Sequence, residues 1–204
     1  MLQSIHIYYK MGKIFYVCSY GGSGSRMLET ALKQYGKTEH IHSPKPPDKL
    51  EYVGKNGGGD VYYEWFNGKV IPENELDDYC VLYIYRNPTF SIKSRFQMHL
   101  HLKHIQCDSK IQLNDVLDSG KDLYGIKDFY NNYMKKNKNR NYKIICVKYE
   151  DIFDKQDELS NLLGIGKLNL VNKSKRKHIS EKKLDTIYAD LIEEMNKNDS
   201  IIVN

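Results

Sequence analysis

The residues with the clearest chemical potential form a glycine-rich run, Tyr20-Gly21-Gly22-Ser23-Gly24-Ser25-Arg26. It follows an apolar, β-branched stretch and opens a stretch with helical spacing. In that setting small residues let backbone N–H groups approach an anion closely, and the helix N-terminus adds partial positive charge. The chemistry this suits is the holding of a phosphate-type group; the alternative is a tight strand–helix turn that binds nothing. Two familiar phosphate loops do not fit. Counted from Gly21 as a Walker A loop, Arg26 stands where the second glycine is required, and no lysine follows. Counted as a dinucleotide fingerprint, Gly22 and Gly24 fit, but Met27 occupies the third glycine position.

A second run, Leu82-Tyr83-Ile84-Tyr85-Arg86-Asn87-Pro88, ends one apolar stretch and enters another helical one, and Ser94 lies eight residues after Arg86. An arginine at a strand end can grip a phosphate with two parallel hydrogen bonds, and a hydroxyl two turns into the helix adds a donor. The RNP turn followed by serine at that spacing resembles the 3′-phosphate segment of the PAPS-dependent sulfotransferases. The glycine-rich turn is similar to that family's 5′-phosphosulfate loop, whose usual pattern is Lys-[Ser/Gly]-Gly-Thr-[Thr/Arg]; here it reads Gly22-Ser23-Gly24-Ser25-Arg26. Val147-Lys148-Tyr149-Glu150-Asp151 resembles the family's Tyr-Glu-Asp segment, which implies that Tyr149 contacts adenine and that the acidic pair caps the following helix. The run from Asn172 to His178 is similar to a Ser-Lys-Gly-Arg stretch before the last helix, which implies that Lys175 and Arg176 close over the 3′-phosphate. These matches fall in family order over roughly residues 14–178.

The resemblance implies sulfuryl transfer from PAPS to an acceptor hydroxyl of a small molecule or carbohydrate (or to an amine), with release of PAP and no metal. Gly22, Ser23, Gly24, Ser25, Arg26 and Met27 would hold the 5′-phosphosulfate, and Arg86 and Ser94 the 3′-phosphate. The family's loop lysine, which contacts the bridging oxygen, is replaced by Gly22. Arg26 is the expected substitute, with Lys45 and Lys37 as other donors. For the base, the family's Lys-x-His-x-Pro segment corresponds to Thr38–Pro44, TEHIHSP, where His42 stands two residues before Pro44 and His40 is the alternate. A histidine near its ordinary pKa suits proton acceptance from a hydroxyl; an ordinary loop histidine is the competing reading. The missing lysine keeps open a degenerate protein that binds PAP or another nucleotide without chemistry. A divergent P-loop phosphotransferase, which would require ATP and Mg²⁺, is a further alternative.

These residues need elements to position them. Ile14–Ser19, Tyr79–Tyr85 and Tyr142–Lys148 are continuously apolar, as strands covered on both faces are. Helical patterns follow each: Ser23–Tyr35 with Gly36 as a stop, Thr89 to about Lys103 behind an Asn87 cap and Pro88, and Glu150–Leu163 stopped by Gly164. Leu123–Met134 and Glu181–Met195 are two more expected helices. VYYEWF, Asn67-Gly68 and KVI read as a β-hairpin with a type I′ turn. The expected fold is α/β: a central parallel sheet flanked by helices, P-loop sulfotransferase-like, with a small β-hairpin insertion, in a single domain over residues 1–204.

At 204 residues the chain can bury a full core without staples, and a net charge of +5 suits an anionic ligand but falls short of a dedicated nucleic-acid binder. No apolar run approaches ~18 residues, so no membrane span is expected. Cys18, Cys80, Cys107 and Cys146 include no CxxC pair, and three lie in apolar runs. They read as buried reduced thiols of a cytoplasmic protein. His99, His101 and His104 are spaced by two and three, which does not put all three on one helix face, so a metal site is disfavoured. Lys173–Lys177 reads as solvated surface or cofactor-phosphate contact before nucleic acid. Trp65, Tyr62 and Tyr63 read as hairpin packing before an acceptor pocket. The chain is short for the family, which leaves the acceptor side open or completed by a second subunit, as in a homodimer.

Overall fold

The computed structural model describes residues 12–56, 63–96, 102–172 and 181–204. Seven strands form one sheet: β1 (Lys13–Cys18), β2 (Gly36–Ile41), β3 (Glu51–Asn56), β4 (Tyr63–Val70), β5 (Tyr79–Tyr85), β6 (Ile144–Lys148) and β7 (Ile201–Val203). Their spatial order is β3-β4-β2-β1-β5-β6-β7. The four central strands, β2, β1, β5 and β6, run parallel. β4 joins β2 in parallel through the pair Ile41 and Glu64, while the edge strands β3 and β7 are antiparallel to their neighbours. Around the sheet lie α1 (Ser25–Leu32), α2 (Pro88–Phe96), α3 (Leu113–Ser119), α4 (Ile126–Met134), α5 (Gln156–Leu163), α6 (Lys182–Ile187) and α7 (Ala189–Lys197).

Side-chain alternation along β1 explains the continuous apolar runs. Phe15 and Val17 enter one core with Leu28 and Leu32 of α1 and Leu159 and Leu163 of α5. Tyr16 and Cys18 enter the other, with Phe129, Tyr130 and Tyr133 of α4. Both faces of the strand are therefore covered, as a parallel sheet requires. The second core is built of tyrosines: the rings of Tyr83 and Tyr133 stack at 4.4 Å between centroids. The Tyr133 hydroxyl donates to the Ser43 carbonyl at 2.8 Å, so a buried phenol keeps a partner.

The strand order decides where a ligand can bind. From β1 the chain goes to β2 on one side, and after the β3–β4 excursion it enters β5 on the other side of β1. The loops leaving β1 and β5 therefore part in opposite directions and leave a crevice at the carboxyl ends of these two strands, the usual ligand position in open α/β sheets.

Several expected details differ. Asn67-Gly68 does not turn a hairpin; it lies within β4, where Gly68 has φ +81°. The pairing with β3 shifts between Glu51 and Val53, so the dipeptide makes a bulge and not a reversal. The antiparallel pair is instead β3 with β4. Gly36 opens β2 and does not stop a helix, because α1 ends at Leu32. The turn at residues 150–155 delays α5 to Gln156. The last helical stretch breaks at Tyr188 into α6 and α7, and β7 closes the edge beyond it. Cys18 and Cys146 are buried, and Cys80 and Cys107 are half-buried, all as free thiols. Among the described residues no helix is long and apolar enough to cross a membrane.

Leu28 is fully buried between α1 and the sheet. Leu28→Ala should lower the unfolding free energy by about 3 kcal/mol, read by urea denaturation.

Candidate functional site

The turn between β1 and α1 is clamped from both sides. Gly22 has φ +70°, and a methyl group built on it would lie 2.6 Å from the Ser91 carbonyl oxygen of α2. Gly24 caps α1 with φ +82°, and a methyl group there would strike the Tyr149 ring. Only glycine tolerates both the left-handed backbone and these close approaches. The buried Ser23 hydroxyl donates to the Ile84 carbonyl at 3.0 Å and ties the turn to β5. The N–H groups of Met27 and Leu28 close onto the Gly24 carbonyl. Among the described residues, the N–H groups of Gly22, Ser23, Gly24 and Ser25 donate to no other group. That leaves a nest of donors at the start of a helix, suited to an oxyanion.

Arg86 follows β5 and reaches back to this turn. Its Nη1 donates to the Gly22 carbonyl at 3.3 Å, its Nε lies 3.8 Å from Glu150, and its guanidinium stacks 4.5 Å from the centre of the Tyr149 ring. Burial lowers the Arg86 pKa and raises that of Glu150, so desolvation outweighs the attraction across this long pair. Glu150 also accepts the Asn87 N–H at 3.1 Å, and the Asn87 side chain accepts the Thr89 N–H at 3.0 Å, capping α2 as its sequence predicts. The acidic pair thus does not cap the helix that follows it: Glu150 braces α2, and Asp151 accepts from Ser200. Ser94 is half-buried on α2. Met27 and Tyr149 line a cleft of about 430 Å³ with Thr30, Ala31, Asn169, Leu170 and Val171. Lys175 and Arg176 lie outside the described residues, as do His99, His101 and Tyr62.

Two histidines on one face of β2 and its extension border the turn. His40 Nε2 lies 2.7 Å from the Ser25 hydroxyl and 3.4 Å from that of Ser19, and its Nδ1 is 3.9 Å from Glu29. His42 is buried; its Nδ1 donates to the Ser19 carbonyl at 2.8 Å, which leaves Nε2 as the acceptor nitrogen. The two rings are 4.4 Å apart, and His104 lies 5.3 Å from His42. Burial lowers the His40 pKa to about 4, helped by Arg26 and Arg95 and opposed by Glu29. Burial, then His40 and Arg95, lower that of His42 well below the usual value. Both are neutral near pH 7. Arg26 is exposed on α1.

Arg95 of α2 escaped the sequence reading. It is 3% exposed, lies against Gly21, and holds its guanidinium 5.1 Å from the Tyr20 ring centre. Its spacing carried a usable signal: Arg95 stands three residues after Ile92 and four after Ser91, both buried, and so on the inner face of α2.

The depressed histidine pKa values link to stability. Unfolded His40 would titrate near the ordinary ~6.5. Between that value and about 4 the unfolded chain binds more protons than the folded one, so stability falls as pH falls through this window. His40 alone should contribute a loss on the order of 3 kcal/mol from pH 7 to pH 4. Urea denaturation at these two pH values should show a smaller difference in His40→Gln than in the parent chain.

Comparison of the chain with family models, with curated proteins and with solved structures gave no match, so the functional reading rests on the geometry and chemistry of the site itself.

Proposed function

We propose that the protein is a PAPS-dependent sulfotransferase with a P-loop sulfotransferase-like site. The observation that supports this reading is the hydrogen bond from Arg86 to the Gly22 carbonyl. It joins the strand-end arginine and the glycine turn, which are 64 residues apart in sequence, at the mouth of the β1–β5 crevice. A nucleotide with phosphates at both ends of its ribose matches such a pair of anion-binding groups better than a single phosphate would. In this reading the N–H groups of residues 22–25 take the 5′-phosphosulfate, Arg86 and Ser94 take the 3′-phosphate, and Tyr149 offers a ring face to the adenine.

The acceptor hydroxyl attacks sulfur in line. The new O–S bond forms as the bond from sulfur to the 5′-phosphate oxygen breaks, and that oxygen keeps the electron pair as PAP leaves. The acceptor proton passes to a neutral imidazole, His42 at Nε2 or His40 at the nitrogen now beside Ser25. Fixed N–H donors around the leaving phosphate stabilise the developing charge without reorganisation. The acceptor is a small-molecule or carbohydrate hydroxyl, and the site is cytoplasmic with reduced thiols.

One observation favours a second reading, a protein that binds PAP without transferring a sulfuryl group. The position of the family's loop lysine is Gly22, where the Ser91 carbonyl leaves no room for any side chain. A cation must then reach the loop from elsewhere or transfer is lost.

Calorimetric titration with PAP, ADP and ATP–Mg²⁺ separates the readings. PAP should bind in the micromolar range, more tightly than ADP, and Arg86→Ala should weaken PAP about 100-fold, as loss of a charge-assisted bidentate contact does. Equal affinity for PAP and ADP would count against the 3′-phosphate site and in favour of a phosphotransferase. PAP binding with no turnover of PAPS against a panel of hydroxyl acceptors would favour the second reading.

A further inference from the structure

We propose that Arg95 is the fixed cation of the glycine turn, completing with the N–H groups of residues 22–25 a pocket for a tetrahedral sulfate- or phosphate-type anion. The assignment of that anion to the 5′ end of PAPS rests on the reading above; the pocket itself does not.

The starting observation is a buried charge without a counter-charge among the described residues. Arg95 is 3% exposed, and its Nε and Nη2 have no hydrogen-bond partner among the described residues. None of the ion pairs among those residues involves it. The Tyr20 ring, 5.1 Å from the guanidinium carbon, offers only a partial substitute for an anion. An unpaired buried guanidinium is strongly unfavourable and is retained where it meets a ligand.

Its position identifies the ligand's place. A methyl group built on Gly21 would lie 2.7 Å from Nη1 and 2.9 Å from the guanidinium carbon, so the arginine packs onto the turn only because Gly21 has no side chain. The turn's free N–H groups follow directly in the chain. A planar fork of donors beside a nest of N–H groups matches an oxyanion with several acceptor oxygens, and a lysine would offer only a point charge. The neighbouring histidines fit this arrangement, because His40 and His42 stay neutral beside Arg95 and do not add to the buried positive charge. Arg26, the cation expected from sequence, is exposed instead. In sulfuryl transfer Arg95 would hold the phosphate whose oxygen keeps the electron pair as the S–O bond breaks, the role that no side chain at position 22 can fill.

The test uses the full chain, with Arg95→Met and Arg95→Lys, titrated with inorganic sulfate, PAP, ADP and adenosine 3′-phosphate. Sulfate should raise the melting temperature of the parent chain and leave that of Arg95→Met unchanged. Without anions Arg95→Met should melt no lower than the parent, since an unpaired buried charge has been removed; a purely structural arginine would give the opposite. PAP should bind Arg95→Met about 100-fold more weakly. Adenosine 3′-phosphate, which lacks the 5′ group, should bind both alike. If Arg95→Met does not fold, Arg95→Lys carries the test, with about a 10-fold loss for PAP and none for adenosine 3′-phosphate. PAP bound equally by parent and variant overturns the assignment to Arg95 and leaves the sulfotransferase reading standing. Sulfate binding that depends on Arg95, with no preference for PAP over ADP, supports the pocket and overturns that reading. A parent chain that responds to none of the anions overturns both.

Discussion

The turn at residues 21–24 has no room for side chains at its glycines, and the rest of the site depends on that constraint. Three neighbours press on it: the Arg95 guanidinium at Gly21, the Ser91 backbone at Gly22 and the Tyr149 ring at Gly24. Two come from α2 and one from the end of β6, so the turn is held in its left-handed backbone by tertiary contacts and not by local preference alone. The same contacts bring α2 and the end of β6 against the start of α1. A donor nest held this way is rigid before any ligand arrives, which is what electrostatic stabilisation of a developing charge requires.

The sheet supplies the frame. Because the chain leaves β1 for β2 on one side and enters β5 on the other, the β1 and β5 loops diverge and the crevice opens between them. Both cores are needed to hold it there. Phe15 and Val17 anchor β1 to the helices of one face, and Tyr16 and Cys18 anchor it to the other. The tyrosine stack beneath β5 fixes the strand from which Arg86 emerges.

The site concentrates positive charge and limits it at the same time. Arg86 is braced by Glu150 and the Tyr149 face, whereas Arg95 has no carboxylate partner among the described residues. Burial holds the two histidines neutral, and the Arg95 charge beside them adds to that effect. An imidazole kept neutral is a proton acceptor at working pH, though a weaker base than a free one.

Much of the fold was legible in the residues. The three continuous apolar runs named β1, β5 and β6 to within two residues, because a strand covered on both faces can carry almost nothing polar. Asn87-Pro88 marked the start of α2, because capping chemistry is local. Asn67-Gly68 misled, because the dipeptide favours left-handed backbone without saying whether a strand reverses or bulges; the partner strand β3 decided that. Residue types and spacing also picked out the glycine turn and the strand-end Arg86, while Tyr149 and the two histidines came only from the resemblance to the sulfotransferases. The sequence by itself determined which groups could meet an anion, since side-chain chemistry and short-range backbone preference are written residue by residue. Only the tertiary structure decided which of them meet: strand order put Arg86 on Gly22, the Ser91 carbonyl closed position 22 to a lysine, and packing buried Arg95 while leaving Arg26 in solvent. Strand order, and with it which groups face one another across the turn, arises from contacts between residues far apart in the chain, which local spacing does not encode.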